Sequence, residues 1–448
     1  MNKLCLWTAV FFAAGQPILT ATPAAAESCR SVVREMGLDD VIRLSLHNSE
    51  ELKIQDNQVG RIEGVYKQVR SDILPHLNAR ATWTNNMEYP NSAAEDMTDH
   101  TLEGGLSASQ VLWSFGKVAF AVKSARQSLE AVQFNREAGR QDIIYAAKLG
   151  YYGTLLARNT LSITEKSYAN AVENKELMGK RAYGGRSSKY EIIRMSAEVA
   201  ARIPMVNDAR TEFDAATETL RKMIDAEPDC KLALSGNFAE GYADFDYASL
   251  VSLMNTREPS LKSLDKNIEA AESQLRSRYG ALLPTISAFA SLNRAGGSNQ
   301  HSFLRGDRLD PYTSAGLKVD FPIWEGGLKE AQLRQSQADK EIAVLRRKQV
   351  GKELRLELKR SCLEYRQYKS NLAANIEAVS LAEESFRQSQ EMFYSGQISL
   401  ADLNDAELLL TNQRLNKEIT LYNINITLAK IEKLIAGGYE EKGRDDWS

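Results

Sequence analysis

The chain has 448 residues, 26% of them charged and 43% hydrophobic, with a formal net charge of −3. That balance fits a folded protein of two or three domains and excludes one that captures nucleic acid through its overall charge. The ten prolines are unevenly placed: none lies between Pro90 and Pro204, and none follows Pro322, so long stretches are free to be uninterrupted helix.

The chain opens with a leader. Lys3 supplies a positive start, "LCLWTAVFFAA" (4–14) is an apolar run too short to span a bilayer, and "AAA" (24–26) offers a small-residue cleavage site. Residues 1–26 therefore read as a secretory signal peptide. No later run approaches the ~18 apolar residues of a transmembrane helix. Cys29 follows "AES" rather than the signal end itself, which argues against lipidation. Cys29, at the mature N-terminus, and Cys230, at the junction of two halves, are free to pair in an oxidising compartment, but spacing alone does not decide it. Cys362 falls in a helical stretch and reads as a small core residue.

The mature chain repeats one plan. "SEEL" (49–52) aligns with "EPSL" (258–261) and "ILPHLNARATW" (73–83) with "LLPTISAFASL" (282–292), at an offset of 209. Beyond the strands the offset becomes 211, matching Trp113 to Trp324, Gly185 to Gly396, Ser188 to Ser399 and Ile224 to Ile435. A constant register over so long a stretch defines two structural repeats, 27–230 and 231–437, with a polar tail at 438–448.

Each repeat begins with a helix, 38–73 and 247–282, ended by Leu-Pro. Alternation follows. Leu77, Ala79, Ala81 and Trp83 share one face, as do Ile286, Ala288, Ala290 and Leu292 in the second repeat, which predicts strands with one apolar side. The strands are placed at about 76–86, 101–113, 284–293 and 312–324, each of a length that crosses a bilayer when tilted. After Gly116 and Gly327 the pattern turns helical for 117–182 and 328–394, and both runs end at glycine turns, "YGGRSS" (183–188) and "YSGQIS" (394–399). A second long helix then returns in each repeat, with Pro204 expected to kink the first. In the last helix Leu408, Leu415, Tyr422 and Ala429 recur every seven residues, a coiled-coil signature. The helices alone would suit a secreted coiled-coil structural or adhesive protein. The strands argue otherwise. Four membrane-length strands cannot close a barrel, because open edges are not tolerated in lipid, so a barrel must be shared between chains.

"SQVLWSFGK" (109–117) and "DFPIWEGGL" (320–328), "FYSGQISLADLNDAELLLTNQRL" (393–415) and "LAKIEKLIAG" (428–437) resemble the paired strand–helix motifs, the tip turn and the closing helix of the TolC-type outer-membrane efflux proteins. The resemblance covers roughly 38–436. It implies a mixed α/β membrane protein: an all-α coiled-coil periplasmic barrel plus a transmembrane β-barrel shared by three chains, four strands from each. It also implies a homotrimer in the outer membrane, a periplasmic adaptor (membrane fusion protein) and an inner-membrane ABC or RND-type pump. The function implied is the exit duct of a tripartite efflux or type I secretion system.

No catalytic group, cofactor or metal site is expected. His47, His76, His100 and His301 are scattered without ligand spacing. Asp402 and Asp405 lie three apart at a helix start, where capping and dipole complementarity is one reading and a gate the other. The resemblance implies the gate: a ring of carboxylates at the narrow end, attractive to cations. It places two tip-lock positions at Phe393 and Ile398, where neither side chain supplies the family's polar link; Glu191 is retained opposite, and Arg186 is a candidate substitute partner for Asp402. The turns at Gly185, Gly396, Ser188 and Ser399 are the expected adaptor contacts, beside the basic Lys180, Arg181, Arg186 and Lys189.

Overall fold

A computed structural model describes residues 34–85, 100–183, 188–227, 232–238, 244–298 and 309–437. The elements in chain order are β1 (Arg34–Met36), α1 (Leu38–Asn48), α2 (Glu50–Ser71), β2 (His76–Asn85), β3 (His100–Trp113), α3 (Lys117–Tyr183) and α4 (Lys189–Ile224). There follow β4 (Leu232–Leu234), α5 (Tyr247–Arg257), α6 (Pro259–Gly280), β5 (Thr285–Ser298), β6 (Asp310–Asp320), α7 (Leu328–Ser395) and α8 (Leu400–Leu434). The order helix–helix–strand–strand–long helix–return helix therefore occurs twice.

Two expected helices are each divided. The first breaks at Ser49, whose side chain accepts from the Leu52 N–H and starts α2 afresh. The second breaks at Glu258, held out of helical geometry at ψ 117° by the proline that follows, with Pro259 taking the first position of α6. The broken positions are the aligned "SEEL" and "EPSL" stretches. β5 runs further than expected, to Ser298, while β6 stops at Asp320, before Phe321-Pro322. α4 remains one helix through Pro204.

The strands form one antiparallel sheet in the order β2-β3-β5-β6. Cross-strand partners Ala79↔Leu106↔Leu292↔Thr313 lie on one face, and Arg80↔Gly105↔Asn293↔Tyr312 on the other. The first face is apolar and open, with Leu77 80% exposed. The second carries a polar lattice: Tyr312 Oη donates to Glu103 Oε1 (3.0 Å), Asn293 Nδ2 to Ser291 Oγ (3.1 Å), and Ser291 and Ser314 share a hydrogen bond (2.7 Å). β2 and β6 each have a neighbour on one side only.

The helices continue the strand order. Near the sheet they lie side by side as α2-α3-α6-α7, and beyond mid-length as α4-α3-α8-α7. α3, at 67 residues, and α7, at 68, run about 100 Å through both halves. Small residues set the α3–α6 seam: Ala270, Ser273, Ser277 and Gly280 are all buried. Ser124 Oγ donates to the Ala270 carbonyl (2.8 Å), and Ser277 Oγ to the Lys117 carbonyl (2.7 Å).

The strand-to-helix change rests on left-handed residues in both repeats, Phe115 and Gly116 (φ 47° and 86°) and Gly326 and Gly327 (φ 63° and 85°). At mid-length a short parallel pair, β1 with β4, joins α1 and α5 in covering one face of the ribbon. Met36, Val41, Phe238, Leu250 and Met254 from this belt share a core with Leu155, Ile224, Leu358, Ile424 and Ile431 of the long helices.

The heptad of α8 has the expected period, but most of the covered residues lie on another line. Leu403, Leu410, Ile424 and Ile431 are buried; on the expected line Ala429 is buried, Leu415 and Tyr422 are half-buried and Leu408 is exposed. α8 packs between α3 and α7, and those two neighbours select the line that is covered.

A methyl group at Gly280 would sit 2.6 Å from the Lys117 backbone nitrogen. Gly280→Ala is therefore expected to cost about 1–3 kcal/mol through a forced shift of the α3–α6 seam, measured as a lower thermal midpoint of the helical circular dichroism.

Candidate functional site

At the end of the bundle away from the sheet α3 ends, α4 begins and α7 turns back into α8. The α7–α8 turn depends on Gly396, whose φ of 80° ends α7 in a left-handed cap. Its N–H donates to the Phe393 carbonyl (3.0 Å), and the Gln397 N–H reaches the Met392 carbonyl (2.8 Å). No neighbouring atom crowds Gly396, so its requirement is conformational.

Both return helices start with the same capping box. In α4 the Glu191 N–H donates to Ser188 Oγ (3.2 Å) while the Ser188 N–H donates to Glu191 Oε2 (2.8 Å). In α8 the Asp402 N–H donates to Ser399 Oγ (3.3 Å), and both the N–H and the hydroxyl of Ser399 donate to Asp402 Oδ2 (2.9 and 2.7 Å). The Ser399 hydroxyl, then its N–H, holds the Asp402 carboxyl below its ordinary range. Asp402 and Asp405 are both exposed.

Behind these caps lies a second core. Phe393 and Leu403 are buried in it with Met178, Met195 and Phe386, and Ile398 packs against it. The two positions implied as polar locks are thus apolar packing residues. Glu191 serves the Ser188 cap and Asp402 the Ser399 cap. Gly185, Arg186, Cys29, Cys230, the leader and the tail lie outside the described residues.

Sequence reasoning missed Arg202 and Glu407, which pair between α4 and α8 with side chains 6% and 3% exposed. The signal was present: Arg202 falls on the Met195–Val199 line and Glu407 on the Leu403–Leu410 line, so each is a charge on an apolar seam. Among the described residues no group of His, Cys, Asp or Glu is arranged to hold a metal ion, and no helix is long and apolar enough to cross a membrane.

The sequence pattern of the outer membrane efflux protein family matches residues 41–226 and 250–437, and the chain belongs to that family. The family places it in the outer membrane. Among similar proteins, outer membrane efflux protein BepC of Brucella suis is 25% identical over 292 residues, 64% of this chain and 62% of that protein. Pyoverdine export outer membrane protein OpmQ of Pseudomonas aeruginosa is 23% identical over 311 residues, 68% of this chain and 65% of that one. The chain thus spans just under two thirds of these two relatives. The solved CmeC outer membrane channel of Campylobacter jejuni superposes with a TM-score of 0.79 at 16% identity, over 98% of this chain and 95% of that chain. The likeness shows the TolC-like channel fold.

Gly396→Ala forces a side chain into the left-handed region and is expected to weaken the turn by about 1–2 kcal/mol, seen as faster amide hydrogen exchange across Met392–Leu403. Because the folded-state value of Asp402 is depressed, its cap is fully present above the ordinary carboxylate range and is lost as pH falls through that lowered value. Acid titration followed at the Ser399 and Asp402 amides should show the loss, and Asp402→Asn should abolish its pH dependence.

Proposed function

We propose that the chain is the exit duct of a tripartite efflux or type I secretion system, acting as a homotrimer that docks a periplasmic adaptor served by an inner-membrane ABC or RND-type pump. The observation that carries this reading is the four-wide ribbon with two open sides. β2 continues α2 on one side, and β6 leads into α7 on the other. An edge strand cannot stand open in hydrocarbon, so β2 of one copy pairs with β6 of the next. Three copies close a twelve-stranded barrel and, in the same turn, a twelve-helix tunnel. In this tube the two repeats, 27–230 and 231–437, contribute equally.

The apolar sheet face, with Leu77, Leu106 and Leu317, meets lipid; the polar face, with Arg80, Glu103 and Tyr312, lines the lumen. Trp113 and Trp324, the latter 82% exposed, mark the membrane boundary where strand becomes helix. A secreted coiled-coil protein would leave this apolar face without a purpose. The belt covers one face of the helical ribbon, so the lumen is the other face. At the far end Asp402 and Asp405 from three chains form the acidic constriction, and the turns holding Gly185, Ser188, Gly396 and Ser399 receive the adaptor.

Purified protein in planar lipid bilayers should form pores selective for cations, and Asp402→Ala with Asp405→Ala should reduce that selectivity. Pores indifferent to the double substitution would move the constriction elsewhere. No pores from an intact membrane-extracted oligomer would end the duct reading.

Cys29 and Cys230 lie outside the described residues, and we propose their pairing from the sequence alone, as two cysteines of an exported chain in an oxidising compartment. Intact mass before and after reduction should differ by two hydrogens at these cysteines; free thiols at both in periplasm-exported protein would remove the assignment.

A further inference from the structure

Among the described residues, four polar links tie the first helical hairpin to α8, and they follow one another along the helix. Lys433 Nζ lies 2.6 Å from Asp142 Oδ1, and Lys148 pairs with Glu432. Asn159 Nδ2 donates to Glu418 Oε2 at 2.7 Å, and Arg202 pairs with Glu407. The first three are partly open to solvent. The last, nearest the tip, is buried within the second core and joins α4 to α8 across the α3 seam.

This pair is poorly explained by stability alone. Arg202 keeps two nitrogens, Nε and Nη1, and Asn404 keeps Nδ2, buried with no hydrogen-bond partner. A buried charge pair with donors left over is commonly matched or bettered by apolar side chains, whereas removing one partner strands a buried charge. What the pair adds is a fixed geometry. Thr411 Oγ1 donates to Glu407 Oε1 (3.4 Å) from the next turn of the same helix, holding the carboxylate toward the first hairpin. At about 100° per residue, Glu407 lies roughly opposite the side of α8 that carries Asp402 and Asp405. Holding Glu407 against the first hairpin therefore turns the two aspartates away from it. Meanwhile Phe393 and Ile398, the positions where polar tip links were expected, are apolar and sit in the same core.

We propose that the Arg202–Glu407 pair is the clamp that holds the acidic end of this conduit closed, taking over from links at the turn itself; this rests on the duct reading above. Opening the end requires α8 to swing from the first hairpin, and the buried pair must separate for it to do so. The partly open links nearer the belt are reached by water and cost less to exchange than the buried pair, so they mark where the swing can pivot.

The test is single-channel recording of the full-length trimer in planar bilayers, wild type beside Glu407→Gln and Arg202→Lys, with trimer integrity checked by heat-resistant migration in detergent gels. Glu407→Gln, which strands the buried guanidinium, is expected to raise open-state occupancy about 100-fold, and Arg202→Lys to raise it less. An intact Glu407→Gln trimer that gates like wild type overturns the clamp and leaves the duct standing. If Glu407→Gln yields no trimer, wild-type gating in Arg202→Lys overturns it equally. Silence from every protein, wild type included, overturns the duct reading instead.

Discussion

Backbone hydrogen bonding in hydrocarbon is the constraint on which the whole architecture turns. Each peptide group in the membrane needs a partner, and β2 and β6 each have one on a single side. The helices inherit the consequence, because α2 runs into β2 and α7 out of β6. The open sides of the sheet and of the bundle are the same two sides. In the proposed trimer, closing one layer with further copies closes the other, and one set of contacts sets the register of both.

Much of this was legible in the residue pattern. Period-two alternation at Leu77–Trp83 and Ile286–Leu292 located strands and their apolar face, and proline-free runs located α3 and α7. Glycine placement located both strand-to-helix changes and the α7–α8 turn. Other features were hidden for physical reasons. The β1–β4 pair joins three-residue strands far apart in sequence, too short for any periodicity. The break at Ser49 carries a capping serine but no proline, so the apolar pattern runs straight through it. The covered face of α8 is chosen by two neighbours, which a helix read alone cannot name.

At the tip the structure bears out one reading of the aspartate motif, the capping one. Asp402 caps α8 through Ser399, as its position at the helix start suggested. The cap favours the ionised carboxylate, so the residue stays charged while it serves the helix. A capping aspartate is thus also a fixed negative charge at the start of its helix. The Arg202–Glu407 pair makes the opposite case, since nothing in its local sequence distinguishes it from solvated surface charge except its place on an apolar line.

The side-by-side order of the helices also bears on how the chain can be made. α3 and β3 belong to the first half, yet their neighbours α6, α8 and β5 all come from the second. A chain exported only as far as Ile224 has its longest helix with one flank bare and a strand with no partner on that side. The first half is therefore no independent folding unit, despite repeating the plan of the second. Until the last helix arrives, that flank and that strand edge stay open to other unfinished chains, which is the stage at which like chains aggregate.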